Sequence, residues 1–80
     1  MRASDLEGKE VIELKSGERL ERIKDWELLI NTETGMVEAL IVTTHGWGGV
    51  ETGHRTIPWK QIRKISQELI LFETDEAEVN

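Results

Sequence analysis

Cysteine is absent from these 80 residues, and a single proline, Pro58, interrupts the chain. Without a thiol, the protein has neither a disulfide nor a thiolate that could act as a nucleophile or a metal ligand. The absence is consistent with a reducing compartment, and we expect a cytoplasmic protein. The longest apolar runs, at residues 39–42 and 69–72, are far shorter than the roughly 20 residues that span a bilayer. Charged residues begin at position 2, so we expect no membrane span and no signal peptide.

Basic residues are in the minority. Sixteen acidic side chains against ten Lys and Arg give a formal charge of -6, and an acidic surface repels the phosphates of nucleic acids. Four of the acidic residues, Glu73, Asp75, Glu76 and Glu78, lie in the last eight positions. Eighty residues are enough for one small core. We therefore expect one folded domain over residues 1–72 and an acidic, disordered tail over residues 73–80.

Glycine and polar clusters divide the chain into pieces of strand length. Residues 37–42 alternate at first and then become apolar on both faces, which is typical of a strand that passes from an edge to a buried centre. The preceding "NTETG" predicts a hairpin loop in which Gly35 takes a positive φ. In residues 9–15 the alternation favours Ile12 and Leu14 on one face, opposite Val11 and Glu13.

Residues 18–30 are ambiguous from periodicity alone. Leu20, Ile23, Trp26 and Ile30 would share one stripe of a helix, and the local composition suits a helix. A strand with a bulge between Leu20 and Ile23 explains the same spacing. Further along, the start at Pro58 and the three-residue spacing of two isoleucines predict one helical turn near residues 58–63. Five to six short strands with one helical turn indicate a small antiparallel barrel or sandwich.

Three motifs resemble the PRC-barrel family, small β-barrels that are named for the H subunit of the photosynthetic reaction centre. They are "GKEVI", the run D-x-E-L-x-I-x-x-x-T-G-x-V-E-A-L-I-V at residues 25–42, and "IPW" ahead of I-x-K-I. The resemblance covers residues 6–72 and extends to the short stand-alone branch labelled YlmC/YmxH, which is associated with sporulation. It implies an all-β, PRC-type antiparallel barrel in which residues 18–30 are strand. One departure is Glu21, where relatives usually carry glycine.

The resemblance also implies a function. It provides no catalytic residues, and its best understood members are adaptor domains that bind other proteins. We therefore expect a non-enzymatic interaction module without a cofactor, acting in sporulation or cell division with a protein partner that the sequence does not name. The alternative is an RNA- or ribosome-assembly-associated factor, because ribosome maturation factors carry the same domain. The acidic composition argues against nucleic acid.

The alternation and the resemblance together predict a core. Its members are apolar residues on the inward phase of each expected strand, with Trp26 and Trp59 also directed inward. A second copy of the chain is one way to cover the edges and apolar surface that so small a domain leaves exposed, so a homodimer is a further expectation. The predicted core comprises Ile12, Leu14, Leu20, Ile23, Trp26, Leu28, Ile30, Val37, Ala39, Leu40, Ile41, Val42, Ile57, Ile62, Ile65, Ile70 and Phe72.

Residues 44–59, "THGWGGVETGHRTIPW", hold the candidate site residues. His45 and His54 with a carboxylate could bind a metal, but a site needs three or four converging ligands and a glycine-rich loop does not fix them. A phosphate loop would need a lysine and a following helix, and both are absent. So small a domain also lacks room for a deep substrate cleft. We expect no metal and no small-molecule substrate.

Binding of another protein is the remaining function to consider for residues 44–59. Aromatic side chains are enriched in interface hot spots, and glycines flank Trp47. The predicted partner-binding residues are Trp47, His45, His54 and Arg55. Trp47 has two orientations open to it, since its ring could point outward to a partner or fold back to plug one end of the barrel.

Overall fold

The computed structural model describes residues 1–75, with Glu21 described by its backbone alone. This part of the chain is built from seven strands and three single turns of 3₁₀ helix, and no helix in it is long and apolar enough to cross a membrane. The 3₁₀ turns span Ala3–Leu6, Trp47–Gly49 and Trp59–Gln61. The strands are β1 (Glu10–Glu13), β2 (Arg19–Arg22), β3 (Trp26–Ile30), β4 (Val37–His45), β5 (Glu51–Pro58), β6 (Ile62–Ile65) and β7 (Leu69–Phe72).

The strands form two sheets. The four-stranded sheet has the order β2-β1-β7-β6, and the three-stranded sheet has the order β3-β4-β5. The all-β prediction is confirmed, as is the helical turn that starts after Pro58. All neighbouring strands are antiparallel except β1 and β7, which run parallel in register from Glu10 with Leu69 to Glu13 with Phe72. Local alternation does not show this pairing, because it joins the two ends of the chain.

The ambiguous segment is extended, as the family resemblance implies. The register of β2 against β1 shifts between Arg19 and Arg22, which agrees with a bulge after Leu20. β2 then ends, and residues 23–25 carry the chain from one sheet to the other. Ile23 is buried at this corner, and its N–H donates to the carbonyl of Lys9 at 3.0 Å. Among the described residues only glycines have positive φ. Glu21 therefore lies in extended β2 without the conformation that would require glycine.

The β3–β4 hairpin closes as the sequence predicts. Asn31 Oδ1 accepts hydrogen bonds from the N–H groups of Glu33 and Thr34, at 2.9 and 3.2 Å. This is the local side-chain bonding by which asparagine favours turns. Gly35 takes a φ of 75°. β4 then runs through the middle of the three-stranded sheet, so the predicted passage from an edge to a buried centre is confirmed.

The core lies between the two sheets, and most of its predicted members are buried or packed against it. Three predicted members are wrong, because Leu14 is 44% exposed, Ile30 is 50% exposed and Ile41 lies on the outer face of the three-stranded sheet. Leu14 lies in the turn after β1, and Ile30 lies at the end of an edge strand. The sequence pattern also missed Leu6, which is buried from the first 3₁₀ turn. The buried apolar residues are Leu6, Val11, Ile23, Ala39, Leu40, Val42, Ile57, Ile70 and Phe72.

The predicted phase of β1 is wrong by one residue. Val11 and Glu13 face the core and Ile12 is only half-buried. Both phases of this strand contain apolar residues, so alternation alone could not choose between them. The choice is made by Glu13, whose carboxylate has specific partners inside the fold.

Glu13 is 4% exposed and holds two separate segments. Its Oε1 accepts from the N–H of Ser16 at 2.7 Å and from Ser16 Oγ at 3.1 Å, and its Oε2 accepts from the N–H of Thr74 at 2.8 Å. Donation from the backbone of Thr74 and then of Ser16 lowers the pKa of Glu13 to about 2. The carboxylate therefore links the turn after β1 to the chain that follows β7.

Lys9 is the corresponding buried cation, at 7% exposure. Its Nζ donates to the carbonyls of Ser66 and Gln67, at 2.6 and 2.8 Å, and so closes the β6–β7 turn. No buried side-chain nitrogen or oxygen among the described residues lacks a partner. Both charges are thus satisfied where burial would otherwise be costly.

The first residues of the predicted acidic tail contact the domain. Glu73 donates its N–H to the carbonyl of Gln61 at 2.9 Å, and its carboxylate lies 3.5 Å from Arg63. Asp75 lies 4.0 Å from Lys60. Residues 76–80 lie outside the described residues, so the predicted disorder of the tail stays a prediction.

Candidate interaction surface

The β4–β5 hairpin carries all four predicted site residues. Its strands pair from Ala39 with Pro58 to His45 with Glu51, and the register shifts between Thr44 and His45. The tip closes through the N–H of Gly46, which donates to the carbonyl of Val50 at 2.7 Å. Seven ladder pairs therefore support the short tip that follows His45.

Glycine is required at the tip for two different reasons. Gly48 and Gly49 have φ values of 71° and 81°, which other residues rarely adopt. A Cβ on Gly46 would lie 2.8 Å from the side-chain methyl group of Thr52, closer than real contacts allow. The sequence "GWGG" is thus what allows the chain to turn with a tryptophan at the point of reversal.

Trp47 points outward. Its side chain is 98% exposed, so the alternative in which it plugs one end of the barrel is wrong. Val50, also exposed, is on the same hairpin tip. Together Trp47 and Val50 form what we call the apolar tip. The two other tryptophans, Trp26 and Trp59, are partly buried and pack against the core, as predicted.

The two histidines are each close to a carboxylate. His45 Nε2 lies 3.3 Å from Asp25 Oδ2, and its side chain is mostly buried. His54 is exposed, with Nδ1 3.3 Å from Thr43 Oγ1 and Nε2 3.6 Å from Glu51 Oε1. Among the described residues, no group of three or more His, Asp or Glu side chains could hold a metal ion. The histidines instead lie along the stem of the hairpin, below the apolar tip.

Arg55 is separated from the other predicted site residues. It faces the opposite side of β5 from His54, in phase with buried Ile57. Its guanidinium carbon lies 5.5 Å from the centroid of the Phe72 ring, and Nη1 lies 3.5 Å from Glu18 Oε1. These contacts join the three-stranded sheet to the four-stranded sheet. The structure therefore gives Arg55 partners within the fold and does not bring it together with Trp47.

A shallow groove of about 760 Å³ runs across the outer face of the three-stranded sheet. Ile41, Thr43 and Thr56 form its floor, and Trp26 and His54 also line it. Its charged lining consists of Glu7, Lys24, Asp25 and Glu27. Two of these acids already have partners, since Glu7 accepts from Trp26 Nε1 at 3.3 Å and Asp25 contacts His45.

Comparison with known proteins agrees with this architecture. The PRC-barrel domain family matches residues 1–78. The chain belongs to the PRC-barrel domain family. It is also similar to the uncharacterized protein YmxH of Bacillus subtilis (strain 168), with 37% identity over 78 residues, which is 95% of this chain and 92% of that protein. The resemblance drawn from the three motifs is thus confirmed.

Several exposed apolar residues of this PRC-barrel chain were not predicted from the sequence. Leu29, Ile30 and Met36 are exposed at the β3–β4 hairpin, and Val50 is exposed beside Trp47. The continuous run "WELLI" was the sequence signal for this exposed apolar surface. A half-buried strand normally has polar residues on its outer face, and this one has only Glu27. Periodicity favoured the core for Ile30 because it does not distinguish an edge strand from a central one.

Proposed function

We propose that this PRC-barrel chain is a non-enzymatic protein-interaction module that contacts its partner through the apolar tip. The observation that carries the proposal is the 98% exposure of Trp47 on a supported hairpin. A tryptophan side chain buries roughly 150–250 Å² of its surface in a core or an interface, and this burial is favourable. An exposed tryptophan does not gain that contribution. A partner that covers the ring would recover that contribution.

The backbone of the tip supports the same proposal. Gly46, Gly48 and Gly49 have no side chains that could cover the indole, and the two positive φ values define the turn. The ring is therefore presented by a shaped loop whose ends are held by the β4–β5 ladder. Such a preorganised aromatic anchor has less conformational entropy to lose on binding.

The test is a capture experiment at low and high salt, with the full chain as bait in a cell extract of the organism that carries it. The proposed apolar contact predicts a set of captured proteins that Trp47→Ala abolishes and that high salt leaves largely unchanged. Met36→Ala is the matched control, because Met36 is also an exposed apolar residue but lies at the β3–β4 hairpin. A direct titration of the purified partner should then show at least a tenfold loss of affinity for Trp47→Ala.

Two results would contradict the proposal. If Trp47→Ala and Met36→Ala retain the same proteins as the natural chain, the apolar tip is not the contact. If the captured material is RNA or ribosomal particles and is released steeply as salt rises, counterion release identifies nucleic-acid binding instead. The associations with sporulation or cell division and with the cytoplasm stay predictions that the identity of the partner would test.

A further inference from the structure

The two sheets have four edge strands, and three of these edges are protected. β2 has arginine at both ends, and Arg19 Nη1 lies 2.6 Å from Glu10 Oε1 on the neighbouring strand. β6 carries Arg63 and Lys64, and its pairing with β7 is irregular. Charged side chains and irregular pairing are among the means by which proteins prevent sheets from joining edge to edge.

β5 is protected in another way. It ends in Pro58, which has no N–H to donate, and it contains Gly53 with a φ of 149°. β3 has no basic side chain, proline or glycine, and where its pairing with β4 shifts register after Leu29, the extra residue, Glu38, lies in β4. The five residues of β3 include one charge, Glu27, and two exposed apolar side chains, Leu29 and Ile30. Among the described residues β3 pairs with β4 alone, so its other side is an open edge.

We propose that the open edge of β3 pairs antiparallel with β3 of a second copy of this chain, which would make one continuous six-stranded sheet across a two-fold axis. This interface is distinct from the apolar tip and does not depend on the function proposed for it. A second copy of the chain is the expected partner because of the residues that such pairing would bring together.

The backbone determines the centre of the pairing. The N–H of Thr43 donates to the carbonyl of Asp25 at 3.0 Å, and the ladder continues with Glu27 opposite Ile41. In an antiparallel ladder, residues alternate between those bonded to one neighbour and those bonded to the other. Glu27 therefore bonds toward β4, and Leu28 directs its N–H and C=O to the open edge. Two copies of Leu28 can then exchange a pair of hydrogen bonds on the two-fold axis.

This register is self-complementary. With Leu28 opposite Leu28 of the second copy, Trp26 lies opposite Ile30, and Glu27 lies opposite Leu29, so all five residues of each strand are paired. An aromatic residue opposite a β-branched residue is a favourable cross-strand pair. The single charge of each strand meets leucine and not its own copy, which avoids the like-charge repulsion that an acidic chain risks on self-association. The pairing also covers two side chains that are about half exposed in the monomer.

The size of the interface sets the expected strength. Five residues on each side fall at the low end of interface sizes, where association is weak and transient. Sedimentation equilibrium of the full chain, from about 20 μM to about 1 mM, should show the mass rising from 9.2 kDa toward twice that value. A chain that stays monomeric throughout this range would overturn the proposal.

Charge substitutions test the register. Leu29→Glu places a second carboxylate beside Glu27 of the other copy, in a pair whose side chains are close, and should weaken the dimer at least tenfold. Leu29→Lys at the same position should retain the dimer and make it more sensitive to salt. The double variant Glu27→Lys with Leu29→Glu restores opposite charges and should recover most of the lost association.

Val50→Glu is the matched control, because it adds the same charge at an exposed apolar position on the other hairpin. It should leave the dimer within about twofold of the natural chain, a change worth less than about 0.5 kcal/mol. The proposed pairing of the β3 edges would be wrong if Leu29→Glu and Val50→Glu weakened the dimer equally. It would also be wrong if Leu29→Glu and Leu29→Lys did so. Circular dichroism of each variant separates dissociation from unfolding. Trp47→Ala should retain the dimer. This result would show that self-association through β3 does not depend on the apolar tip, so each proposal is tested separately.

Discussion

The two sheets of this PRC-barrel chain differ in a simple way: one has buried polar side chains beside it, and the other has exposed apolar side chains. The buried polar side chains, Lys9, Glu13 and Gln61, all adjoin the four-stranded sheet. Among residues 1–75, five of the seven exposed large apolar residues belong to the three-stranded sheet and its two hairpins. The first sheet buries charges and bonds them to backbone groups of distant segments. The second leaves apolar side chains in water, where only a partner can cover them.

This difference indicates a division of roles. Hydrogen bonds donated by Lys9 and accepted by Glu13 join β1 to the β6–β7 turn and to the segment after β7, so they stabilise the sheet in which β1 pairs with β7. Exposed Trp47 and Leu29 add nothing comparable to the stability of the monomer. We therefore expect substitutions in the first group to reduce stability and substitutions in the second to change association alone.

The largest effect is expected for Lys9→Met. Methionine retains the apolar stem, but the carbonyls of Ser66 and Gln67 lose their buried donor. Two unsatisfied groups should lower the free energy of unfolding by about 2–4 kcal/mol, measured by urea denaturation at neutral pH. Lys24→Met, at an exposed position, is the matched control and should change stability by less than about 0.5 kcal/mol. An equal effect of the two variants would mean that the buried amine does not fasten the β6–β7 turn.

The next effect concerns Glu13 and pH. Its pKa is about 2 in the folded chain, below the ordinary value of 4.5 for a glutamate side chain. Because folding lowers the pKa, its stabilising contribution is complete above pH 4.5 and is lost as pH falls toward 2. Glu13→Gln keeps one acceptor oxygen but no charge, so it should be less stable at pH 7, and the difference from the natural chain should shrink between pH 4.5 and 2. Thermal unfolding across this pH range measures the difference, and a gap that does not change with pH would contradict the role of the carboxylate.

A smaller effect is expected for Arg55→Met, at the junction of the two sheets. The change removes the cation above the Phe72 ring and the partly exposed contact with Glu18, and it should cost about 1 kcal/mol. A double-mutant cycle with Phe72→Leu isolates the ring contact by chemical denaturation. A coupling free energy indistinguishable from zero would show that Arg55 does not join the sheets through this ring.

The smallest effect on stability is expected for Trp47→Ala, because its side chain has almost no contacts to lose. The free energy of unfolding should change by less than about 0.5 kcal/mol. Trp59→Ala is the matched comparison, since Trp59 packs against the core, and its loss should cost about 2 kcal/mol or more. Both values come from the same urea titrations. A large loss of stability in Trp47→Ala would mean that the apolar tip serves the fold and would remove the contrast between the two sheets.

Much of the fold could be predicted from local patterns. The "NTETG" loop, the alternation that becomes fully apolar along residues 37–42, and the turn that starts after Pro58 each combine a strong conformational preference with a clear period. Residues 18–30 needed the family resemblance, because leucine and isoleucine three residues apart suit a helix and a bent chain equally. The phase of β1 and the burial of Glu13 could not be predicted, because the hydrogen-bond donor at Thr74 is 61 residues away.

The candidate surface shows the same limit. Glycines on both sides of Trp47 indicated a tryptophan in a turn, and the outward direction of its ring followed only from the assembled hairpin. Arg55 is adjacent to His54 in sequence, but the alternation of β5 sends the two side chains to opposite faces. Leu29 and Ile30 have the composition of a core strand, but Leu29 shares the outer face of the sheet with Glu27, and Ile30 lies at the end of edge strand β3.

The local sequence specifies the parts of the fold: an acidic, cysteine-free chain of short strands, hairpin turns with glycine where φ is positive, and the motifs of the PRC-barrel family. These features depend on neighbouring residues and on backbone preference, which the local sequence contains. The packing of the whole domain sets which strand is an edge, which phase of β1 faces the core, and which tryptophan is exposed to water. Those properties depend on contacts between distant segments, and no local pattern contains them.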